Sequence, residues 1–479
     1  MTDGRLLIGG AWVASGGARV EDVRSPYDGR VVGQAAVADA SDADKALAAA
    51  EHGAVVWRET PAHARLDVLL RAAALVEERA DAIAALLSAE NGKTITEARG
   101  EVGRASDMIR LAGYEGTQLY GDSLPLDANR GTGLDKVGFT LRQPCGVVVA
   151  ITPFNYPSLL VLHKVAPALA AGNAVVLKPA RATPLTALAL AAAFTDAGLP
   201  PGVLNVLTGP GGELGDALVA DPRVRKVSFT GSTAVGEHIA RTAGVKKLSL
   251  ELGASCPVVV LPDADVEAAA SAIAAGGYIN AGQVCISVQR VIAHPRVHGD
   301  LLDALVPLVE AIPAGDPADD GTRLGTLISE AEARRVEATL RAAVDDGATL
   351  LTGGEREGAF VTPAVVDDVA PTAPLNTDEL FGPAVAVSTA EDWPTAIAYA
   401  NSTPYGLGAG VFTTDVSAAV RAMRQIDAGV IHINWTPLWR ADLMPYGGLK
   451  ASGIGKEGFR TAVSEMTEEK TIILHGRPW

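Results

Sequence analysis

Cys285 lies in Asn280-Ala-Gly-Gln-Val-Cys-Ile-Ser287, a polar, glycine-containing turn that follows a long alanine-rich helical stretch, Asp265 to Tyr278. A free thiol, with a pKa near about 8.5, is only slightly ionised at neutral pH, so a nucleophilic cysteine needs a nearby base or aligned amide dipoles. Glu251, in Leu250-Glu-Leu-Gly253 at the end of a strand-like run, has the chemistry of such a base. Asn155 stands in Thr152-Pro-Phe-Asn-Tyr-Pro157, where two prolines restrict the backbone on either side. A fixed amide donor beside a thiolate can hold a tetrahedral oxyanion, a contribution of about 3–4 kcal/mol. Each residue also has a plainer reading. A cysteine by itself is more often a small buried hydrophobe, a lone glutamate a solvated carboxylate, and a lone asparagine a turn-former.

A second group of residues suits a phosphate-bearing ligand. Phe229-Thr-Gly-Ser-Thr-Ala-Val-Gly236 follows a strand-like run and opens a helix, so Gly231, Ser232 and Thr233 offer free amides and hydroxyls at a positive helix end. The pattern is not the GxGxxG fingerprint. Lys178, after another apolar run, has the reach for a ribose or phosphate; by itself it reads equally as a surface lysine. Cys145 and Cys256 begin apolar runs and are expected in the core. The eight histidines show no metal-ligand spacing, and no metal site is expected.

The elements that must position these residues change character along the chain. From about Asp39 to Gly121, apolar residues recur at three- and four-residue spacing, notably over Asp44 to His52 and Leu66 to Asn91, which predicts helices. From Gln143, short apolar runs (Val147 to Ile151, Ala174 to Leu177, Val203 to Leu207, Lys226 to Thr230) alternate with helical stretches (His163 to Ala171, Thr186 to Ala197). That alternation signals a parallel α/β sheet, whose ligands sit beyond the carboxyl ends of the strands. It restarts with Pro257 to Leu261, which suggests a second α/β unit. The tail, ending in Thr471-Ile-Ile-Leu474, and the segment around Thr140-Leu-Arg142 both look extended and are expected to pair.

With 479 residues, 48% of them hydrophobic and 20% charged, the chain predicts two or three packed domains. A net charge of −16 argues against nucleic acid or an anionic membrane as the main partner. No apolar run reaches the roughly 18 residues of a membrane span, and no signal peptide is expected at the start. Three widely spaced cysteines make no disulfide framework, so a cytoplasmic location is expected.

In order, Asn155, Lys178, the turn at 231–236, Glu251, Cys285, Glu379-Leu-Phe-Gly-Pro383 and Pro445-Tyr-Gly-Gly-Leu-Lys-Ala-Ser-Gly453 resemble the aldehyde dehydrogenase superfamily along nearly the whole chain. The resemblance implies an α/β fold with a Rossmann-like cofactor domain (1–119 and 143–251), an α/β catalytic domain (252–462) and a β-strand oligomerisation arm (120–142 and 463–479). It further implies NAD- or NADP-dependent oxidation of a small-molecule aldehyde to an acid by a homodimer or homotetramer. In that scheme the Cys285 thiolate attacks the carbonyl, Asn155 and the Cys285 backbone N–H hold the oxyanion, and Glu251 activates the water that hydrolyses the thioester. Lys178 and Glu379 bind the cofactor riboses, with Phe381 in the same turn, and Gly231 and Ser232 meet the diphosphate.

One departure concerns the cofactor. Many relatives carry a glutamate three residues after Lys178 that repels a 2′-phosphate; here Arg181 stands there, which predicts that both NAD and NADP work. The substrate reading rests on Cys285-Ile-Ser-Val-Gln-Arg290 and Trp439-Arg-Ala-Asp-Leu-Met-Pro-Tyr-Gly-Gly448. These resemble the branch holding lactaldehyde, non-phosphorylating glyceraldehyde-3-phosphate and phosphonoacetaldehyde dehydrogenases. Arg104, Arg290, Arg440 and, more weakly, His163 are the expected ligands of a small anionic aldehyde. A neutral or aromatic aldehyde, transfer of the acyl group to coenzyme A, and a non-catalytic structural use of the fold are the alternatives.

Overall fold

The computed structural model describes residues 4–131 and 133–476. The outermost positions of the expected domain spans, 1–3 and 477–479, and position 132 of the expected arm lie outside the described residues.

The helices of the first region start where side chains can satisfy their free amides. Ala40–Glu59 begins on Asp39, whose carboxylate accepts from the backbone of Ser41 and Asp42. Ile95–Gly116 begins on Thr94, with Glu97 completing a capping box. The expected helical stretch Leu66 to Asn91 is two helices, Ala62–Glu78 and Ala80–Asn91, divided where Arg79 leaves helical geometry at φ −97, ψ 7.

Two sheets carry the site. The first has eight strands, in spatial order Ala11–Val13, Leu6–Ile8, Leu204–Val206, Ala174–Lys178, Val147–Ile151, Val224–Thr230, Lys247–Glu251 and Gly453–Ile454. Its five inner strands are parallel, and the flanking ones are antiparallel. Alternate residues of the inner strands fill opposite layers. Val148, Ala150, Val175 and Leu177 join one core, while Val147, Val149, Ala174 and Val176 join the other. This explains why those runs are continuously apolar rather than alternating.

The second sheet has seven strands, in order Thr349–Thr352, Ala364–Asp367, Ala384–Thr389, Val288–Ala293, Cys256–Val260, Gly408–Phe412 and Val430–Ile433. All but the first are parallel to their neighbours. Cys285 precedes its central strand, whereas Lys178 and Glu251 end strands of the first sheet, and Asn155 follows another. The carboxyl ends of one sheet therefore face the amino end of the other.

Thr467–His475 runs antiparallel to Lys136–Pro144, with Thr471 opposite Thr140 and Glu469 opposite Arg142. That is the pairing expected from the two extended segments. Ser123–Leu124 adds a third short strand.

Candidate active site

The turn that presents Cys285 is held in an unfavourable backbone shape. Asn280, Ala281 and Gly282 take φ of 50, 53 and 71, three left-handed residues in succession, two of them with side chains. Such residues cost of order 1 kcal/mol or more each and persist only where their surroundings fix them. Here the fixing groups are visible. The Asn280 N–H donates to Glu97 Oε1 at 2.6 Å, its side-chain amide to the Asn155 carbonyl at 3.0 Å, and Gln283 Nε2 to the Asn280 carbonyl at 3.0 Å. Gly282 lies flat on Gly382, so a side chain there would strike the Gly382 carbonyl. The Cys285 turn and the Glu379-to-Pro383 turn thus interlock.

Cys285 is half-buried, and its Sγ lies 3.2 Å from the Tyr446 hydroxyl. Burial pushes the thiol pKa up to about 12, opposed by the Tyr446 hydrogen bond. Asn155 is buried, and its Nδ2 donates to the Gln283 carbonyl at 2.9 Å. An amide nitrogen carries two hydrogens, so a second N–H remains for an oxyanion. The Asn155 carbonyl also accepts from Lys93 Nζ at 2.8 Å, and Lys93 pairs with Glu101 at 2.5 Å in full burial. Glu101 in turn accepts from the backbone of Ser158 and Leu159, which anchors the Leu159–Ala170 helix beside the asparagine.

Glu251 is buried with both carboxylate oxygens unpartnered among the described residues. Burial first, then the negative charge of Glu457, holds its pKa well above the usual carboxylate range. Gly447 leaves it room: a Cβ there would come within 2.7 Å of Glu251 Oε1. Glu457 is itself paired, with Lys164 at 2.9 Å and Arg440 at 3.2 Å.

The residues expected at a dinucleotide form a cradle. Burial lowers the Lys178 pKa to about 8, and its Nζ donates to the Pro179 carbonyl at 3.1 Å. The Thr233–Ala243 helix opens on Ser232, which makes no capping hydrogen bond, so the first amides of the helix are left for an anion. A Cβ at Gly253 would meet Glu379 Oε2 at 2.8 Å and Thr233 Oγ1 at 3.0 Å, so the backbone must be bare there. Glu379 Oε1 accepts from the Ala254 N–H at 3.1 Å, and burial raises its pKa to about 7. Phe381, at φ 50, meets Phe154 edge to face with centroids 5.9 Å apart. A bare helix end beside the half-buried Glu379, beyond the same sheet end as the buried Lys178, fits a diphosphate with its riboses. Arg181 stands at the rim, 61% exposed, and pairs with Glu21 at 2.7 Å.

Of the four expected anion ligands, three converge and one does not. Arg104 pairs with Asp442 at 2.6 Å, with its side chain 45% exposed. Arg440 stacks over the Tyr446 ring at 3.9 Å and donates to His163 Nδ1 at 3.3 Å. His163 lies 4.0 Å from Asp442, and burial and the Arg440 charge push its pKa well below normal, so it serves as a neutral group. Arg290 corrects the expectation. It is buried, and its guanidinium donates to the carbonyls of Ser255, Tyr399 and Ala400 at 2.9–3.1 Å. It ties a strand start to a helix end, with its guanidinium committed to backbone carbonyls.

The profile of the aldehyde dehydrogenase family matches residues 12–472. The chain belongs to that family. This aldehyde dehydrogenase is 42% identical over 470 residues to a 3-sulfolactaldehyde dehydrogenase of Priestia aryabhattai, covering 98% of each chain. It superimposes with a TM-score of 0.97 and 35% identity on an NADP-dependent glyceraldehyde-3-phosphate dehydrogenase from Bacillus halodurans C-125 complexed with NADP, covering 99% of this chain and 100% of that one. For an NAD-dependent aldehyde dehydrogenase from Sinorhizobium meliloti the TM-score is 0.95, with 36% identity and coverage of 99% and 95%. The family membership makes this aldehyde dehydrogenase an NAD(P)-dependent oxidoreductase acting on aldehydes. Among the described residues, no helix is long and apolar enough to cross a membrane.

Tyr446, Lys164 and Glu457 surround Cys285 and Glu251 without having been singled out from the sequence. Lys164 did leave a signal, a cation inside the apolar helix LLVLHKVAPALA. Glu457, 293 positions away from its partner, left none.

Proposed function

We propose that this aldehyde dehydrogenase oxidises a small anionic aldehyde, bearing a phosphonate, phosphate, sulfonate or carboxylate, to its acid. The observation that carries the reading is that Arg104 and His163 both approach Asp442 while Arg440 meets His163 and stacks on the tyrosine whose hydroxyl touches Cys285. Each charge-assisted hydrogen bond to such an anion contributes about 1.5–3 kcal/mol, so two arginines suffice to dominate selectivity. The names of two relatives, 3-sulfolactaldehyde and glyceraldehyde-3-phosphate dehydrogenase, support the same class.

In the proposed mechanism the Cys285 thiolate attacks the carbonyl carbon while Asn155 Nδ2 and the Cys285 backbone N–H hold the oxyanion. Lys178, Ser232, Gly231, Glu379 and Phe381 hold the dinucleotide, whose nicotinamide supplies the hydride acceptor when bound. Glu251, unpartnered and buried, then takes a proton from the water that hydrolyses the thioester on Cys285. The presence of that carboxylate favours hydrolysis over transfer to coenzyme A. The exposed Val137, Leu141, Ile473 and Leu474 of the paired strands support an arm that joins two or four copies. The span division given above and a reducing cytoplasm, in keeping with three free thiols, complete the proposal.

An aldehyde panel tests it: charged and neutral analogues of equal size, run with both cofactors. The reading requires higher kcat/KM for the anionic member of each pair. Equal values across the pairs exclude it.

A further inference from the structure

The reaction as proposed gives no task to the hydroxyl that hydrogen-bonds the sulfur. The Tyr446 hydroxyl oxygen lies 3.2 Å from Cys285 Sγ, and the tyrosine is 4% exposed. Its backbone is clamped on both sides, its N–H donating to the Glu457 carbonyl at 3.0 Å and its carbonyl accepting from the Glu457 N–H at 2.6 Å. The Arg440 guanidinium lies 3.9 Å above its ring centroid. Arg440 is held in that place by Glu457 and His163. The line Glu457, Arg440, Tyr446, Cys285 is therefore continuous from a buried carboxylate to the sulfur.

We propose that Tyr446 is a further catalytic residue, donating its O–H to the Cys285 thiolate, and that Arg440 on the ring face strengthens that donor. The inference rests on Cys285 being the nucleophile.

The physical need is plain. The sulfur faces two carboxylates, Glu251 and Glu379, and burial, all of which oppose the thiolate; Arg440 and Tyr446 oppose them in turn. The Cys256 thiol nearby is engaged with the Cys285 carbonyl at 3.4 Å. Lys164, Glu457 and His163 are joined to the tyrosine through Arg440, which pairs with Glu457 and His163 while Lys164 pairs with Glu457. Among the described residues no lysine or histidine hydrogen-bonds the sulfur, so the phenol supplies the direct stabilising contact. Hydrogen bonds to an ionised acceptor are roughly twice as strong as neutral ones. A cation on the ring face withdraws electron density and makes the phenol O–H a better donor. The phenol itself is pushed well above its ordinary pKa by burial and by Cys285, so it remains protonated. No proton passes between the two: the thiol proton leaves to solvent when the thiolate forms, and the phenol keeps its own.

The test is iodoacetamide alkylation of Cys285 in the full-length enzyme, followed by peptide mass from about pH 6 to about pH 10. Tyr446→Phe keeps the ring and its stack on Arg440 while removing the hydroxyl. Its apparent thiol pKa is expected to rise by about one unit, slowing alkylation at neutral pH about tenfold. The hydride burst with an uncharged aldehyde should slow by a similar factor. Arg440→Gln should move the alkylation profile in the same direction by less. Cofactor binding and circular dichroism establish that both variants are folded. A Tyr446→Phe profile that superimposes on the parent's overturns the proposal and leaves the aldehyde dehydrogenase reading intact. Undiminished turnover by Cys285→Ala removes the nucleophile, and this proposal with it.

Discussion

The side-chain amide of Asn155 donates to the backbone carbonyl of Gln283 at 2.9 Å, across 128 positions of sequence. This bond joins the loop beyond a strand of the first sheet to the turn that carries Cys285. It fixes the distance between Asn155, the proposed oxyanion donor, and the turn of Cys285. Asn155→Ala removes the donor and the tie together. Its kcat should fall by about a hundred- to a thousandfold, the range for an oxyanion-hole amide. Stopped-flow measurement of the hydride burst is the check; a burst at the parent rate would take Asn155 out of the site.

The Glu251 carboxylate has no hydrogen-bond partner among the described residues, and its raised pKa carries a sign. A carboxyl held protonated above its ordinary range becomes a base only as pH rises, so hydrolysis-limited turnover should increase with pH well above that range. Glu251→Gln should abolish the rise, giving a near-normal burst, slow turnover and an acyl adduct on Cys285 visible by mass. Glu457→Gln removes a negative neighbour and leaves Lys164 and Arg440 less compensated, so the rise should move to lower pH. Steady-state profiles of the three enzymes read this directly. An unchanged profile in Glu251→Gln assigns the water to some other group.

The arginines separate into two behaviours. Arg104→Ala and Arg440→Ala should lower kcat/KM for an anionic aldehyde by about tenfold or more relative to a neutral one of the same size. Arg290→Ala should instead destabilise the protein by about 3 kcal/mol or more, because the buried carbonyls of Ser255 and Ala400 lose the guanidinium donors that reach them. Denaturation and the paired-substrate ratio, measured on all three, distinguish a ligand from a strut.

At the cofactor rim, Arg181 is half of an exposed pair with Glu21. Hydrogen bonding to Arg181 lowers the Glu21 pKa, so at neutral pH the carboxylate is ionised. Both NAD and NADP are expected to support turnover, with an NAD preference no greater than several thousand. Glu21→Gln frees Arg181 for a 2′-phosphate and should shift the kcat/KM ratio toward NADP by about tenfold. A shift toward NAD would mean that Arg181 never meets the phosphate.

Local pattern carried a large part of the architecture. The run Val147 to Ile151 is a strand with those bounds, and the helix read over Asp265 to Tyr278 begins at Val266. Continuous apolar runs between helices mean strands covered on both faces, and that information is local. The division at Arg79 was not legible, since the apolar spacing continues through it and only the backbone angles change.

The sequence by itself determined the family, the chemistry and the order of the groups, because Cys285, Glu251 and Asn155 each sit in a short motif whose residues constrain their own backbone. Tertiary structure alone decided which charges share a space. It buried Arg290 among carbonyls, brought Lys164 to Glu457 and Arg181 to Glu21, and set Tyr446 against the sulfur. Such pairings depend on how two separately built sheets meet, and no residue's immediate neighbours in the chain encode that distance.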